Sequence, residues 1–311
     1  MAQLTQITVR DHILLSQSGG VNAKSCRRQC GAFVGTFGSQ PDRSVRPVMS
    51  KAPGISIKNL SVSFRTKTST VTALDDVSFD IAPGSFLSIV GPSGCGKTTL
   101  LKILSGVLQP TSGTVLFDGE PLSRLKTQGQ VGYVFQRPLL LPWRTTLDNV
   151  MLTMEVARRG MSRAEREAEA RRWLKIAGLQ GFEERFPHEL SGGMQQRVSI
   201  CRALAFQPRI LLMDEPFAAL DEITRETLQE ELLLLWAQTE TTVVFITHSI
   251  PEAVLLSEQI VVMSARPGRV LERIPVPFER PRTEETRERP EFLALASHIR
   301  GLLRHRDPVT A

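Results

Sequence analysis

The chain has 311 residues, 41% of them hydrophobic and 23% charged, which allows one large core with tails or two small domains. The net charge of +6 is uneven, because residues 1–50 carry six basic and two acidic side chains. The basic balance therefore belongs mainly to a leading segment and is weak evidence for nucleic-acid binding, which favours a basic face on the folded part; no nucleic-acid partner is expected. No apolar run approaches the roughly 18 residues of a membrane-spanning helix, so any work at a membrane needs a separate membrane-embedded partner. Four cysteines (Cys26, Cys30, Cys95, Cys201) are too few for a disulfide scaffold, and Cys26 and Cys30 lack a second ligand pair for a metal.

Residues 1–53 show no sustained periodicity and lack the apolar run of a secretory signal. They are read as a flexible extension, or as an over-long start with Met49 as the first residue. From Ile55 the pattern turns to strands. Ile57, Leu60, Val62 and Phe64 open a β-rich stretch, and Val77, Phe79 and Ile81 alternate with polar residues, as a half-buried strand requires. Pro83-Gly84 marks a turn, and Phe86–Val90 is apolar enough for a central strand. That strand runs into Gly91-Pro92-Ser93-Gly94-Cys95-Gly96-Lys97-Thr98, after which Leu100, Leu101, Ile103 and Leu104 follow at helical spacing.

Strand, glycine loop and helix in this order fit the phosphate-loop pattern. Glycines let backbone N–H groups turn inward around phosphate oxygens, and the helix start adds its positive end. Lys97 is expected to reach the β- and γ-phosphates of a nucleoside triphosphate, Thr98 to bind Mg²⁺, and Thr99 to bond a phosphate nearer the base.

Further strands are predicted at 114–117, 131–135, 210–213, 242–247 and 260–263. Arg137–Leu190 reads as a helical insertion in an α/β core, its stretch from Glu155 to Leu179 rich in Ala, Arg and Glu. Asp221–Gln238 is amphipathic, with Leu228, Leu232, Leu235 and Trp236 on its buried side. A Pro- and Arg-rich loop, Pro275–Pro290, leads to a last helix with Phe292, Leu295, Ile299, Leu302 and Leu303. The strand Ile210–Met213 ends in Asp214 and Glu215. Ligands gather at the carboxyl ends of parallel strands, which makes Asp214 the Mg²⁺-side acid and Glu215 the candidate base for an attacking water. In Leu190-Ser191-Gly192-Gly193-Met194-Gln195-Gln196-Arg197, Ser191, Gly192 and Gly193 open a helix with free N–H groups. That is an anion site with no lysine or metal ligand of its own.

The LSGGMQQR segment resembles the signature of the ATP-binding cassette (ABC) ATPases, and the likeness runs from Gly54 to about Arg280. It implies an α/β fold: a P-loop NTPase core of the ABC ATPase type with an antiparallel β subdomain, a helical subdomain at about 137–190, and a C-terminal tail at 281–311 with a short helix. It implies ATP and Mg²⁺ as cofactors. In that family the signature completes the ATP site of a second copy, so the resemblance assigns Ser191, Gly192, Gly193 and Gln195 to the partner's nucleotide and predicts a homodimer. By the same resemblance Gln136 senses Mg²⁺ and water, Asp221 lies in a loop at the dimer interface, His248 contacts the γ-phosphate, and Phe64 stacks on adenine. The residue after the switch histidine is often Asp; here it is Ser249.

The stretches 139–145 and 263–269 look like the ATPases of nitrate, sulfonate and taurine importers, a group that also includes importers of bicarbonate and vitamin precursors. That resemblance implies a separate permease, docked near Arg137–Thr146, a periplasmic or lipid-anchored binding protein, and a peripheral place on the cytoplasmic face of the inner membrane. The alternative is an ABC ATPase of DNA repair or translation. Repair members usually carry long coiled coils and translation members two cassettes; this chain has one phosphate loop and no sustained heptads.

Overall fold

A computed structural model describes residues 54–65, 69–121 and 129–304; the expectations for residues 1–53 lie outside the described residues. Among the described residues ten strands form two sheets. β1 (Ile55–Arg65), β2 (Thr70–Ile81), β4 (Ser112–Phe117) and β5 (Glu120–Pro121) form an antiparallel sheet in the order β2-β1-β4-β5. β3 (Phe86–Val90), β6 (Val131–Val134), β7 (Ile210–Asp214), β8 (Thr242–Thr247), β9 (Gln259–Met263) and β10 (Val270–Pro275) form the second, in the order β10-β9-β3-β8-β7-β6. All its pairings are parallel except β10 with β9.

The alternation in β1 is interrupted and then restored. Asn59 has φ 48°, its side chain donates to Asp76 Oδ1 at 2.8 Å, and the pairing register with β2 shifts there. This bulge returns Leu60 and Val62 to the core face that Ile55 and Ile57 occupy. Alternation places Phe64 on that same face, but it lies beyond the core and is 42% exposed. The Phe79 side of β2 packs with Leu100, Leu101 and Leu104 of α1 (Lys97–Leu104), tying the antiparallel sheet to the helix that follows the phosphate loop.

The helical layer comprises α2 (Thr146–Ala157), α3 (Arg163–Ile176) and α4 (Gly192–Ala205). The Ala-, Arg- and Glu-rich stretch is thus broken at 158–162 rather than continuous. Ser162 and Glu165 form a reciprocal capping box that starts a new helix. Trp173 is 1% exposed, and its indole N–H donates to Glu169 at 2.8 Å. It shares one core with Val150, Met154, Val198 and Leu204, which joins the three helices to the face of the parallel sheet.

α5 (Glu222–Ala237) buries Leu228, Leu232 and Leu235, while Trp236 is partly buried, its edge against Phe86. α6 (Ile250–Leu256) follows β8. The Pro- and Arg-rich loop contains a short helix, α7 (Glu284–Glu288), before α8 (Pro290–Arg304). Phe292, Ala296 and Ile299 of α8 pack with Val254 and Val262, so this helix belongs to the folded body. Buried Arg282 joins it there by donating to the carbonyls of Val254, Leu255 and Ser257 at the end of α6 and to that of Phe278. Burial lowers its pKa to about 10.

Trp173→Ala removes a filled core position and is expected to cost about 3–5 kcal/mol of unfolding free energy, read by urea denaturation. A loss below about 1 kcal/mol would show that the helical layer does not depend on this side chain.

Candidate nucleotide site

The parallel order brings the carboxyl ends of β9, β3, β8 and β7 to one edge, where the phosphate loop, Asp214, Glu215 and His248 converge. β3 enters the glycine loop directly. Gly96 has φ 104°, and a Cβ there would lie 2.6 Å from Leu74 Cδ2 and 2.8 Å from the Ala73 carbonyl oxygen. Only glycine allows β2 to approach the loop so closely. Lys97 is 6% exposed; its Nζ donates to the Gly91 carbonyl at 2.8 Å and the Pro92 carbonyl at 2.9 Å. Cys95 is buried and free, and burial pushes its thiol pKa up against the opposing effect of the Lys97 charge.

Ser93, Gly94, Gly96, Lys97, Thr98 and Thr99 form the floor of a cleft of about 250 Å³. Phe64, Val71 and Ala73 of the antiparallel sheet form one wall, and Glu215 and Arg266 complete the lining. Phe64 is therefore brought to the loop. Gly91 and Cys95 are buried beneath it, and neither they nor Pro92 line the cleft.

The two carboxylates have different surroundings. Thr98 Oγ1 donates to Asp214 Oδ1 at 3.3 Å, and the Tyr133 hydroxyl bonds the same carboxylate. Burial raises the Asp214 pKa and the neighbouring Glu215 charge adds to this, while the bonds from Thr98 and Tyr133 oppose it. Tyr133 is shifted upward in turn, first by burial and then by the Asp214 charge. Glu215 sits at φ 45°, its backbone N–H donating to the Ile246 carbonyl at 3.0 Å. Its Oε2 lies 3.1 Å from His248 Nδ1. The candidate base and the candidate switch residue, on two neighbouring strands, are thus in direct contact.

Ser249 raises no difficulty for this turn. Its backbone N–H donates to Thr247 Oγ1 at 2.9 Å, and its hydroxyl caps α6 by accepting from the Glu252 N–H at 3.5 Å. Thr247 Oγ1 donates to Glu252, so both residues flanking His248 are held.

Two sets of predicted residues lie elsewhere. Gln136 is exposed two residues beyond β6 and is not among the residues lining the cleft. Ser191 and Gly192 are exposed at the start of α4, where Ser191 Oγ accepts from the Met194 N–H at 3.3 Å. Gly193 is buried, and a Cβ there would lie 2.6 Å from Thr224 of α5. Asp221 caps α5 by accepting from the Thr224 N–H at 3.0 Å, a bond that lowers its pKa. Gln195 uses its amide to brace the preceding segment, donating to the carbonyls of Pro187 at 2.9 Å and Leu190 at 3.2 Å. No residue of 190–197 lines the cleft.

Sequence reasoning missed two contributors. Tyr133 falls in the strand predicted at 131–135, where no local signal marks it; its pairing with Leu212 on β7 brings it to Asp214. Arg266 stands just past β9, and the rule that sites form at the ends of parallel strands could have found it.

Residues 74–218 match the family described as ABC transporter. An uncharacterized ABC transporter ATP-binding protein of Methanocaldococcus jannaschii is 47% identical over 251 residues, 80% of this chain and 91% of the relative. A taurine import ATP-binding protein of Rhizobium johnstonii is 48% identical, over 75% of this chain and 90% of the relative. An aliphatic sulfonates import ATP-binding protein of Bacillus cereus is 42% identical over the same shares. Among solved structures, a dimeric ATP-binding cassette in a post-hydrolysis state, bound to ADP and Pi, aligns with TM-score 0.63 and 36% identity, over 72% of this chain and all of that one. With this fold, this loop and these relatives, the chain belongs to the ABC transporter family, as an ATP-hydrolysing cassette.

Proposed function

We propose that this chain energises uptake of a small solute, of the nitrate, sulfonate, taurine, bicarbonate or vitamin-precursor type, through a separate permease. It would act as a homodimer at the cytoplasmic face of the membrane, with a periplasmic or lipid-anchored binding protein delivering the solute. The reading rests on the contact between Glu215 and His248 at a phosphate-loop cleft. Import itself is supported by the printed functions of the relatives from Rhizobium and Bacillus. Among the described residues no helix is long and apolar enough to cross a membrane.

In this reading the loop amides and the start of α1 hold the β- and γ-phosphates. Lys97 exchanges its bonds to Gly91 and Pro92 for phosphate oxygens. Thr98 and Asp214 offer the hard oxygen donors that suit Mg²⁺, and Gln136 would join them from outside the cleft; the ion would neutralise charge on the transferring phosphoryl group. Glu215 takes the proton of the attacking water, and His248 orients that carboxylate while facing the γ-phosphate. Phe64 stacks on the adenine.

The exposed start of α4 supports a shared site. Its free N–H groups serve an anion that this chain's own cleft does not bring to it, and a second copy supplies one. ATP then favours the closed dimer because only that state joins both halves; hydrolysis removes the bridging phosphate and lets it open.

The segment 137–146 supports a docking role. Arg202, 8% exposed, donates to the Pro138 carbonyl at 2.7 Å and the Leu139 carbonyl at 2.8 Å. Asn149 binds the carbonyls of Leu141, Arg144 and Thr145. A loop pinned this firmly nevertheless leaves Leu139 55% and Trp143 71% exposed, and such apolar side chains fit a membrane-protein partner.

Three outcomes are expected. Glu215→Gln lowers steady-state ATP turnover by about 10²–10⁴-fold; near wild-type turnover would remove Glu215 as the base. Mixing a Lys97→Ala chain with a Ser191→Arg chain restores activity, because a mixed dimer confines both lesions to one composite site. No recovery, with mixed dimers demonstrated by affinity tags, would sink the shared site. In detergent extract the wild-type chain co-purifies with a polytopic membrane protein, and Trp143→Ala weakens that capture without altering ATP turnover by the isolated chain. Recovery of ribosomes or DNA instead would overturn the importer reading.

A further inference from the structure

The segment 264–269 has a structural task the catalytic reading does not use. It connects β9 to β10 and folds back against the phosphate loop and β2. Gly268 N–H donates to the Ala73 carbonyl at 2.9 Å, and Asp75 N–H donates to the Gly268 carbonyl at 3.0 Å. Arg269 Nε donates to Asp75 Oδ2 at 2.9 Å. Ser264 Oγ, which accepts from the Arg269 N–H at 2.9 Å, donates to carbonyls within the turn. These bonds fix the backbone on both sides of Arg266.

Arg266 itself projects into the cleft. Its Nε donates to the Gly94 carbonyl at 3.3 Å, and a Cβ on Gly94 would meet its terminal nitrogen at 3.8 Å. Among the described residues its two terminal nitrogens make no other hydrogen bond. The guanidinium is thus tethered by one edge, exposed, and counted with Phe64, Val71 and Thr99 in the lining of one cleft.

Strand order decides which end of a nucleotide it faces. β3 has two neighbours. β8 and β7 lie on one side and carry His248, Asp214 and Glu215, the γ-phosphate end; β9 lies on the other and carries Arg266. Phe64 pairs with Val71, and β2 is the strand bound to the turn that bears Arg266. Arg266 and Phe64 therefore belong to the end away from the reacting phosphate. A planar guanidinium and an aromatic ring lining the same end of one cleft suit a flat π-system bound there.

We propose that Arg266 is a nucleotide-binding residue that contacts the nucleoside half of ATP, together with Phe64. This rests on the reading of the cleft as the nucleotide site. The contact is the same in ATP and ADP, so it strengthens binding without favouring hydrolysis.

The test measures binding of ATP, ADP and inorganic tripolyphosphate to the full chain by calorimetry. Arg266→Ala weakens ATP and ADP by equal factors, on the order of tenfold, raises KM for ATP and leaves kcat unchanged. It leaves tripolyphosphate affinity unchanged, because that ligand keeps the phosphates and lacks the nucleoside. Arg266→Lys recovers part of the ATP affinity. Equal weakening of tripolyphosphate and ATP would show that Arg266 only braces the phosphate loop through Gly94, and unchanged ATP affinity would show no role; either overturns the proposal. Failure of the wild-type chain to bind ATP would instead remove the reading of the cleft itself.

Discussion

The site depends on one constraint: parallel strands in a shared ladder must end at the same edge. β3, β7 and β8 are buried almost throughout, and their backbone groups are satisfied by one another. Where the ladder stops, the backbone needs new partners. At β3 the glycine loop and the open N–H groups of α1 meet that need with an anion. At β7 the chain turns through Glu215 at a positive φ, held by a bond to Ile246 of the next strand. The carboxylates, Thr98 and His248 come together because β3, β8 and β7 run side by side to one edge, although Thr98 and Asp214 are 116 positions apart.

A second arrangement follows from the helical layer. α4 is buried along most of its length, yet its first residues are exposed. Gly193 lets it press against α5 at Thr224, and Gln195 bonds the turn before it. These contacts hold the open helix start in place from within the chain. Its orientation is therefore set before any partner arrives, which reduces the ordering cost of a shared site. The cleft is built on the sheet edge and the signature on the helices. They meet through the core that joins the helices to one face of the parallel sheet.

Much of this was legible in the sequence because its signals are local. A mostly apolar five-residue stretch before a glycine loop reads as a central strand, and the alternation of Val77, Phe79 and Ile81 survives intact in β2. The Ser162–Glu165 capping box was also local, and it explains why the Ala- and Glu-rich stretch is two helices. Other features were not visible. Leu139 and Trp143 read equally well as core or as surface, since an apolar residue in a loop carries no periodicity; the bonds from Arg202 and Asn149 decide that they face outward. Tyr133 reaches Asp214 only because β6 lies beside β7, and Arg266 reaches Gly94 only because β9 lies beside β3.

The sequence by itself determined the kind of site: the phosphate-loop pattern, the acid pair after a buried strand, and the open helix start for which we propose a second anion. Spacing suffices for these because each is made within a few residues by backbone geometry. The tertiary structure decided which groups act on one another. It joined Glu215 to His248, bound Tyr133 to Asp214, raised the Asp214 pKa by burial, and set Phe64 and Arg266 in one cleft. Those outcomes depend on strand order and packing, and the residues concerned are far apart along the chain.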